Sequence, residues 1–452
     1  MIATLTEAAA AVQGTISGGP DNIRFNGVST DTRTLQKGQL YVALSGERFD
    51  GHAFLAQAFE KGAAAAIVSK PAEGYPVILV QDTLAALQRL AAYHRSCYHI
   101  PVIAVTGSVG KTTTKDLLAA CLEGQYNTLK TQGNLNNEIG VPLTLLRLED
   151  EHRVCVVEMG MRALGEIELL ASMTRPTGAV IVNVDAVHLE TLGSVADVAR
   201  AKCEVLPYTE DFAALDGDSP ELAGASGTSR TYRFGRNQTC DWRVISAQYR
   251  HPATIVDLRI EDESIRVELP LPAVHLASNI AAAVGVARLL GVSTDVIRRQ
   301  LLAFRPHGGR LQIGEGIRDS VLIDDCYNAS PRSMIAAVEA LAAFGGSGRK
   351  IAILGDMFEL GGFECEGHRS VGRAVALNGV DLLVTVGEKA RWIAAGARDS
   401  GFRGTIRETD DAEAALAVIK PFLQANDVVW VKASRGMKLE RIAQALTRQE
   451  ES

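Results

Sequence analysis

The stretch AVTGSVGKTTTKD, residues 104–116, follows directly on the apolar run IPVIAV. A buried strand that ends in Thr-Gly, a turn of small residues and a Gly-Lys-Thr helix start form a phosphate-binding loop, because glycines let backbone N–H groups converge on an anion. The alternative without a ligand is an ordinary strand–helix turn with a capping threonine. The loop is a shortened G-x-x-G-K variant, since Val105 stands where the usual motif has its first glycine.

The loop predicts a mononucleotide site. Lys111 is expected to reach the β- and γ-phosphates, and Thr112 is expected to ligate Mg²⁺. The loop residues expected to contact the nucleotide are Thr106, Gly107, Ser108, Val109, Gly110, Lys111, Thr112 and Thr113.

Nearly continuous apolar runs of strand length recur along the chain, and Ala- and Leu-rich stretches separate them. The runs are PVIAVTG (101–107), RVCVVEMG (153–160), GAVIVNV (178–184), KIAILGD (350–356), DLLVTVG (381–387) and DVVWVKAS (427–434). Such runs are typical of parallel strands buried on both faces. The alternation with helices predicts α/β architecture with open parallel sheets.

The chain length of 452 residues favours about three domains, at roughly 150 residues each. We predict boundaries near Pro101 and near the glycine-rich RPHGGRLQI, which gives domains 1–99, 100–309 and 310–452. Between residues 230 and 270, four short segments alternate like the antiparallel strands of a small meander. The segment LASNIAAAVGVARLLG that follows predicts a helix.

The composition is that of an ordinary globular protein, with 47% hydrophobic and 22% charged residues. A net charge of −7 gives no general attraction to nucleic acid or anionic membranes. No apolar run reaches the roughly 18 residues of a membrane span, and the N-terminus does not read as a signal peptide. Seven scattered cysteines without CxxC pairs favour reduced thiols and a cytoplasmic location.

Polar side chains at strand ends add a candidate metal site. Glu158 ends the run VCVV, where a carboxylate suits a metal better than a core. His188 follows the next strand, although a lone histidine is more often a surface residue. With Thr112, these side chains could surround a metal at the carboxyl edge of one sheet. Lys202, in AKCE, reads on its own as a solvated helical lysine.

The segments TGSVGKTTT, VVEMG, NVDAVHLE, AKCE, an Asn-bearing helix, GGRLQ, DDCYNASP and VKASRG occur in the order found in Mur ligases, and the chain resembles this family over essentially its whole length. Mur ligases are ATP-dependent amide-forming enzymes of peptidoglycan precursor synthesis. STDTRTLQKGQLYVALSGERFDGHAF is similar to a uridine-diphosphate-binding domain of the family. KTQGNLNNEIGVPLTLLR and LGDMFELG are most similar to the members that join D-alanyl-D-alanine to UDP-N-acetylmuramoyl-tripeptide.

The resemblance implies a small N-terminal α/β domain that binds UDP, a central parallel-sheet ATPase domain with the phosphate loop, and a C-terminal Rossmann-like α/β domain for the amino substrate. It implies ATP and two Mg²⁺ ions as cofactors, and a carbamylated lysine, Lys202, that helps to hold the metal. The catalytic residues would be Lys111, His188, Lys202 and Arg310. The metal ligands would be Thr112, Glu158, His188 and the carbamate of Lys202.

The resemblance also assigns the remaining contacts. Asn279 would contact adenine, Arg310 a phosphate and Asp325 the ribose, although the His-Asn-x-x-Asn element of the family departs here to HLASN, with Leu276 in place of the first Asn. The UDP-sugar and peptide contacts would be Ser29, Thr30, Asp31, Arg33, Asn134, Asn136 and Asn137. The amino-substrate region would contain Tyr327, Asn328, Asp356, Lys432, Ser434 and Arg435.

The implied reaction is transfer of the ATP γ-phosphoryl group to the tripeptide carboxylate, followed by attack of the D-alanyl-D-alanine amine on the acyl-phosphate. Ligases of the family that add a diamino acid, or folylpolyglutamate synthetase, are alternatives within the class. A P-loop regulator that binds nucleotide without condensing anything is an alternative outside it. We expect a monomer.

Overall fold

The protein is described by a computed structural model that covers residues 1–46, 49–185, 187, 189–227, 230–306 and 308–448. These residues form three consecutive α/β units, each around its own principal sheet, so the predicted fold class is confirmed. No helix within these ranges is long and apolar enough to cross a membrane.

The first unit is built on a small five-stranded sheet. Its elements are β1 (Ile2–Thr4), α1 (Leu5–Val12), β2 (Thr15–Ser17), β3 (Arg24–Asn26), β4 (Val28–Ser29), β5 (Leu40–Val42), β6 (Ser45–Gly46), β7 (Phe49–Asp50), α2 (Leu55–Glu60), β8 (Ala65–Val68), β9 (Val77–Leu79) and α3 (Thr83–Ser96). The strand order is β2-β9-β8-β5-β4, and only β2 runs antiparallel to its neighbour.

The second unit contains the phosphate loop. Its elements are β10 (Val102–Thr106), α4 (Lys111–Glu123), β11 (Thr128–Lys130), α5 (Gly140–Leu145), β12 (Val154–Glu158), α6 (Glu166–Thr174), β13 (Gly178–Ile181), α7 (Leu189–Leu192), α8 (Val195–Cys203), β14 (Phe212–Asp216), β15 (Arg230–Gly235), β16 (Trp242–Arg250), β17 (Ala253–Ile260), β18 (Glu263–Leu269), α9 (Ala277–Leu289) and α10 (Thr294–Ala303). The strand order is β11-β12-β10-β13-β14-β15-β16-β17-β18.

The antiparallel meander predicted for residues 230–270 is wrong in its first part. β15 pairs in parallel with β14, and β16 pairs in parallel with β15, whereas only β16, β17 and β18 form antiparallel ladders. The segment therefore extends the parallel sheet instead of forming a separate one. Alternating polarity did not distinguish the two arrangements, because both leave one face of these strands less buried than the other.

The third unit is a second, mainly parallel sheet. Its elements are β19 (Gln312–Gly316), β20 (Ser320–Asp325), α11 (Pro331–Ala343), β21 (Lys350–Gly355), α12 (Glu364–Leu377), β22 (Leu382–Val386), α13 (Arg391–Asp399), β23 (Thr405–Thr409), α14 (Ala412–Phe422), β24 (Val428–Lys432) and α15 (Glu440–Leu446). The strand order is β19-β20-β24-β21-β22-β23, and only β19 is antiparallel.

Buried polar contacts fix the first unit to the second. Arg95 of α3 donates hydrogen bonds to the carbonyl oxygens of Thr174 (3.0 Å) and Arg175 (3.3 Å) at the end of α6. The Nε2 of His94 contacts the carbonyl oxygen of Leu148 at 2.9 Å. Because the last carbonyls of a helix lack partners of their own, a buried guanidinium is well placed there.

Candidate functional site

A cavity of about 490 Å³ lies between the second and third units, at the carboxyl ends of their central strands. Open parallel sheets bind ligands at this edge. Among the residues proposed from the sequence, the lining includes Ser108, Val109, Gly110, Lys111, Thr112, Thr113, Asn136, Glu158, Asn279, Arg310, Asp325, Tyr327, Asn328, Lys432, Ser434 and Arg435. The tertiary structure thus brings together residues that are up to about three hundred positions apart.

The phosphate loop has the backbone shape that its glycines predict. Gly107 has φ 151° and Gly110 has φ 84°, and α4 begins at Lys111. A Cβ at position 110 would lie 2.8 Å from Nδ2 of Asn279, so a left-handed backbone and a close neighbour both require glycine there. The N-terminus of α4 points its unpaired N–H groups toward the cavity, which favours an anion.

Lys111 is folded back onto its own loop. Its Nζ donates to the carbonyl oxygens of Gly107 (2.7 Å) and Ser108 (3.1 Å). Burial lowers the pKa of Lys111, the nearby Glu158 carboxylate raises it, and Arg310 lowers it. Lys111 therefore feels the charges of both the candidate metal carboxylate and the cation expected to contact phosphate, and all three residues line the cavity.

Asn183 supports the phosphate loop, and the sequence analysis did not single it out. Its Oδ1 accepts hydrogen bonds from the backbone N–H groups of Ser108 (3.1 Å) and Val109 (2.8 Å), and its Nδ2 donates to the carbonyl oxygen of Val109 (2.6 Å). The available signal was its position directly after the buried run AVIV, where a polar side chain reaches the same sheet edge as the loop.

Glu158 is 2% exposed and ends β12. Its Oε1 accepts from Nδ2 of Asn136 at 2.8 Å, but its buried Oε2 has no hydrogen-bond donor among the described residues. The nearest cation is Nζ of Lys115, 3.9 Å from Oε2, which is beyond hydrogen-bond distance. A buried carboxylate oxygen without a donor fits a hard cation such as Mg²⁺, which takes oxygen ligands.

Lys202 lies on α8 and is 2% exposed. Burial lowers its pKa well below the usual value, and the charge of Lys111 lowers it further. No hydrogen bond or ion pair joins its amine to another residue within the described ranges. The solvated lysine suggested by composition is therefore not what the fold contains.

Of the two remaining proposed metal ligands, Thr112 and His188, the structure describes only Thr112. Thr112 lines the cavity, whereas His188 lies outside the described residues. Within those residues, no group of three or more His, Cys, Asp or Glu side chains forms a metal site. Thr112 and Glu158 share the cavity lining, whereas Lys202 is not part of that lining and is influenced by the charge of Lys111.

Tyr327 lies between two cations on the side of the third unit. The Cζ atom of Arg310 is 3.8 Å from the Tyr327 ring centre, and that of Arg435 is 5.2 Å from it. Close by, Nζ of Lys432 donates to Oδ2 of Asp325 at 2.7 Å. The cavity therefore has positive groups on both of its walls, which suits several anionic groups in one place.

Two of the proposed residues have structural contacts that the sequence did not reveal. The Nδ2 of Asn279 donates to Oγ1 of Thr114 at 2.8 Å, which ties α9 to α4. The carboxylate of Asp356 is outside the cavity lining and accepts from the backbone N–H of Ala390 at 2.7 Å. Burial raises the pKa of Asp356.

The proposed UDP contacts form a turn in the first unit, outside the cavity. Asp31 and Arg33 form an ion pair of 2.7 Å, and Oγ of Ser29 donates to the carbonyl oxygen of Asp31 at 3.1 Å. Thr30 lies between them in the chain.

The loop after β11 is divided between the cavity and local turn contacts. Asn136 reaches Glu158, while Oδ1 of Asn137 accepts from the N–H of Gly140 at 2.9 Å. Asn134 is exposed, and Thr106 and Gly107 of the phosphate loop lie behind the cavity surface.

Comparison with known proteins gives a family for all three units. Residues 24–95 match the model described as Mur ligase family, catalytic domain; residues 105–287 match Mur ligase middle domain; and residues 309–435 match Mur ligase, glutamate ligase domain. The chain is 37% identical to UDP-N-acetylmuramoyl-tripeptide–D-alanyl-D-alanine ligase of Bacillus subtilis, with 98% of each chain covered.

Solved structures agree along the whole chain. A crystal structure of MurF from Acinetobacter baumannii matches with a TM-score of 0.89 at 31% identity, and 99% of each chain is covered. MurF ligase from Thermotoga maritima in complex with ADP matches with a TM-score of 0.82 at 30% identity, covering 93% of this chain and 96% of that one.

A phosphate loop facing a buried carboxylate across a cavity between two α/β units, together with these matches, defines the class: the chain belongs to the Mur ligase family, as the sequence predicts. It is an ATP-dependent, amide-forming ligase. The alternative of a regulator that only binds nucleotide is not supported.

Proposed function

We propose that this chain joins D-alanyl-D-alanine to the terminal peptide carboxylate of UDP-N-acetylmuramoyl-tripeptide, with ATP as the phosphoryl donor, in peptidoglycan precursor synthesis. The observation that carries the chemistry is the cavity that Lys111, Glu158 and Arg310 line together. The substrates rest on similarity, because relatives that match the chain over 98% of its length are named for this reaction. That similarity favours D-alanyl-D-alanine over a diamino acid or glutamate as the added group.

The phosphate loop is the proposed ATP site. Its glycines and the start of α4 direct backbone N–H groups at the phosphates, and Lys111 can exchange its two loop carbonyls for phosphate oxygens. Asn183 holds the backbone of the loop from behind. Asn279, Arg310 and Asp325 are the proposed contacts to adenine, phosphate and ribose.

Magnesium fits the carboxylate side of this cavity. Oε2 of Glu158 is buried without a donor within the described ranges, and Thr112 stands at the start of α4 in the same cavity. These two side chains would hold one ion, and a modified Lys202 with His188 would hold a second. When bound, Mg²⁺ neutralises phosphate charge and favours transfer of the γ-phosphoryl group.

The first chemical step brings two anions together, because the peptide carboxylate attacks the γ-phosphorus and displaces ADP. Lys111 and Arg310 offset this repulsion, and the stack on Tyr327 fixes the direction of the Arg310 guanidinium. The product is an acyl-phosphate. Enclosure between the two units would limit its hydrolysis.

The second step is attack of the dipeptide amine on the acyl carbon, with inorganic phosphate as the leaving group. The amine loses a proton as the amide forms. The wall of the third unit, with Tyr327, Asn328, Ser434 and Arg435, is the proposed dipeptide side. Asp356 lies outside the cavity lining and would act indirectly, by accepting the hydrogen bond of the Ala390 N–H and so fixing the backbone there.

Lys202 is the proposed carbamylation site. Burial and the charge of Lys111 favour the neutral amine, which is the form that adds to CO₂. Addition forms an N–C bond and releases one proton, and it turns a neutral buried amine into an anionic carbamate near the charge of Lys111. The modified side chain would offer carboxylate oxygens where the unmodified ammonium would repel metal.

The cytoplasmic location and monomeric state expected from the sequence stay predictions. The test of the function is a panel of dipeptides and amino acids with UDP-N-acetylmuramoyl-tripeptide, scored by phosphate release. Release should require both the nucleotide peptide and D-alanyl-D-alanine, and Lys111→Ala should abolish it while the exposed Lys420→Ala should not. Equal turnover with a diamino acid, or robust turnover by Lys111→Ala, would contradict the proposal.

A further inference from the structure

One wall of the cavity is a loop between β21 and α12 whose shape depends on a histidine outside the cavity. Phe358, Glu359 and Leu360 of this loop line the cavity next to Ser434 and Arg435. Glu359 has φ 63°, a left-handed conformation that disfavours residues other than glycine. Neighbouring contacts must therefore impose this conformation.

Two successive backbone N–H groups of the loop are held by side chains from separate elements. The N–H of Met357 donates to Nε2 of His368 at 3.0 Å, and the N–H of Phe358 donates to Oγ of Ser434 at 3.0 Å. His368 lies on α12 and is 0% exposed. The loop is thus fastened immediately before the strained residue.

The second ring nitrogen of His368 fixes the tautomer. Nδ1 contacts the carbonyl oxygen of Glu364 at 2.7 Å, so Nδ1 carries the hydrogen and Nε2 is left as the acceptor for Met357. The ring is packed edge-on against Trp392, at 5.9 Å between ring centres. A protonated ring would present an N–H to the N–H of Met357, and the loop contact would be lost.

We propose that His368 is a positioning residue for the amino-substrate wall of the cavity, and that its neutral imidazole sets the Met357–Leu360 loop for dipeptide binding. This inference rests on the proposed function for the identity of the dipeptide, but not for the loop contact itself. His368 does not touch the cavity, so its effect passes through the backbone of Met357.

The surroundings of His368 agree with a neutral ring. The charged groups that face it are Asp356 after β21, Glu364 on its own helix and Lys389 before α13, which is itself paired with Glu364. Burial lowers the pKa of His368; the carbonyl contact at Glu364 and the two carboxylates raise it, and Lys389 lowers it. Because the folded-state pKa of His368 lies below the usual 6.5, the ring is neutral and the loop contact is intact at pH 6.5 and above, and the contact is lost as the pH falls through the lowered folded-state pKa.

The test compares His368→Met, which keeps most of the volume without an acceptor, with His368→Gln, whose side-chain oxygen can accept from Met357. The exposed His99→Met is the matched control. Hydrogen exchange of the 352–362 peptide and the KM for each substrate are measured for all three variants.

We expect His368→Met to speed exchange at Met357 and to raise the KM for D-alanyl-D-alanine about tenfold, from loss of one buried hydrogen bond. The KM for UDP-N-acetylmuramoyl-tripeptide should stay within about twofold, and His368→Gln should recover most of the loss. In addition, as the pH is lowered below 6.5 the wild type should lose dipeptide affinity more steeply than His368→Gln.

Unchanged exchange at Met357 in His368→Met would overturn the proposal. A rise of every KM together, or faster exchange throughout the third unit, would do the same, because it would indicate a general packing role. If the wild type does not turn over D-alanyl-D-alanine at all, the proposed function fails, while the exchange comparison still decides the role of His368.

Discussion

Replacing Glu158 by glutamine tests the buried charge pair beneath the candidate metal site. Nζ of Lys115 is 3.9 Å from Oε2 of Glu158, and each side chain is 3% exposed. At an effective dielectric constant of about 20, the attraction at this distance is about 4 kcal/mol. Asp116, 3.4 Å from the same amine, keeps part of the balance, so we expect Glu158→Gln to lower the free energy of unfolding by about 2–3 kcal/mol.

The double variant Glu158→Gln with Lys115→Met separates stability from catalysis. Removing both charges leaves no unpaired ion, so the double variant should be at least about 1 kcal/mol more stable than the sum of the two single changes predicts. ADP formation should remain at least about 100-fold below the wild type in both variants that lack Glu158, because the proposed metal ligand is absent.

The assays are urea unfolding and ADP release at saturating Mg²⁺, with the exposed Glu73→Gln as the control for a lost carboxylate. Strictly additive losses of stability would refute the charge-pair reasoning. Recovery of activity in the double variant would refute the role of Glu158 as a metal ligand.

Three further predictions concern single side chains. Lys202→Ala should lose turnover, small carboxylic acids should restore part of it, and mass spectrometry of the native wild type should find one added CO₂ on the peptide with Lys202. Asn183→Ala should raise the KM for ATP about tenfold or more, since three contacts to the phosphate loop are lost. Burial lowers the pKa of His94 to about 4; because its unfolded pKa is about 6.5, stability falls as the pH drops below that value, by about 2 kcal/mol at pH 5, and His94→Gln should flatten this slope in urea unfolding.

The parallel α/β class, the phosphate loop and the strand-end carboxylate could be predicted from the sequence. Apolar runs buried on both faces mark parallel strands. Gly-Lys-Thr directly after such a strand predicts phosphate binding, because the backbone N–H groups and the lysine of the motif itself are the groups that bind. The sequence predicts antiparallel pairing for β15, whereas β15 pairs in parallel with both of its neighbours. The prediction is wrong because alternating polarity shows which face of a strand is buried and not the direction of the neighbouring strand. Asn183 and His368 were missed for a related reason: each acts by holding a backbone group that is distant in the chain.

The sequence by itself determined which segments become strands, where the phosphate loop lies and which side chains stand at strand ends, because these depend on neighbours within a few residues. Only the tertiary structure decided that Lys202 is buried near Lys111, that Oε2 of Glu158 is left without a donor within the described residues, and that Arg310 and Arg435 flank one tyrosine. These properties depend on desolvation and on distances between groups far apart in the chain, and neither quantity exists until the sheets have packed together.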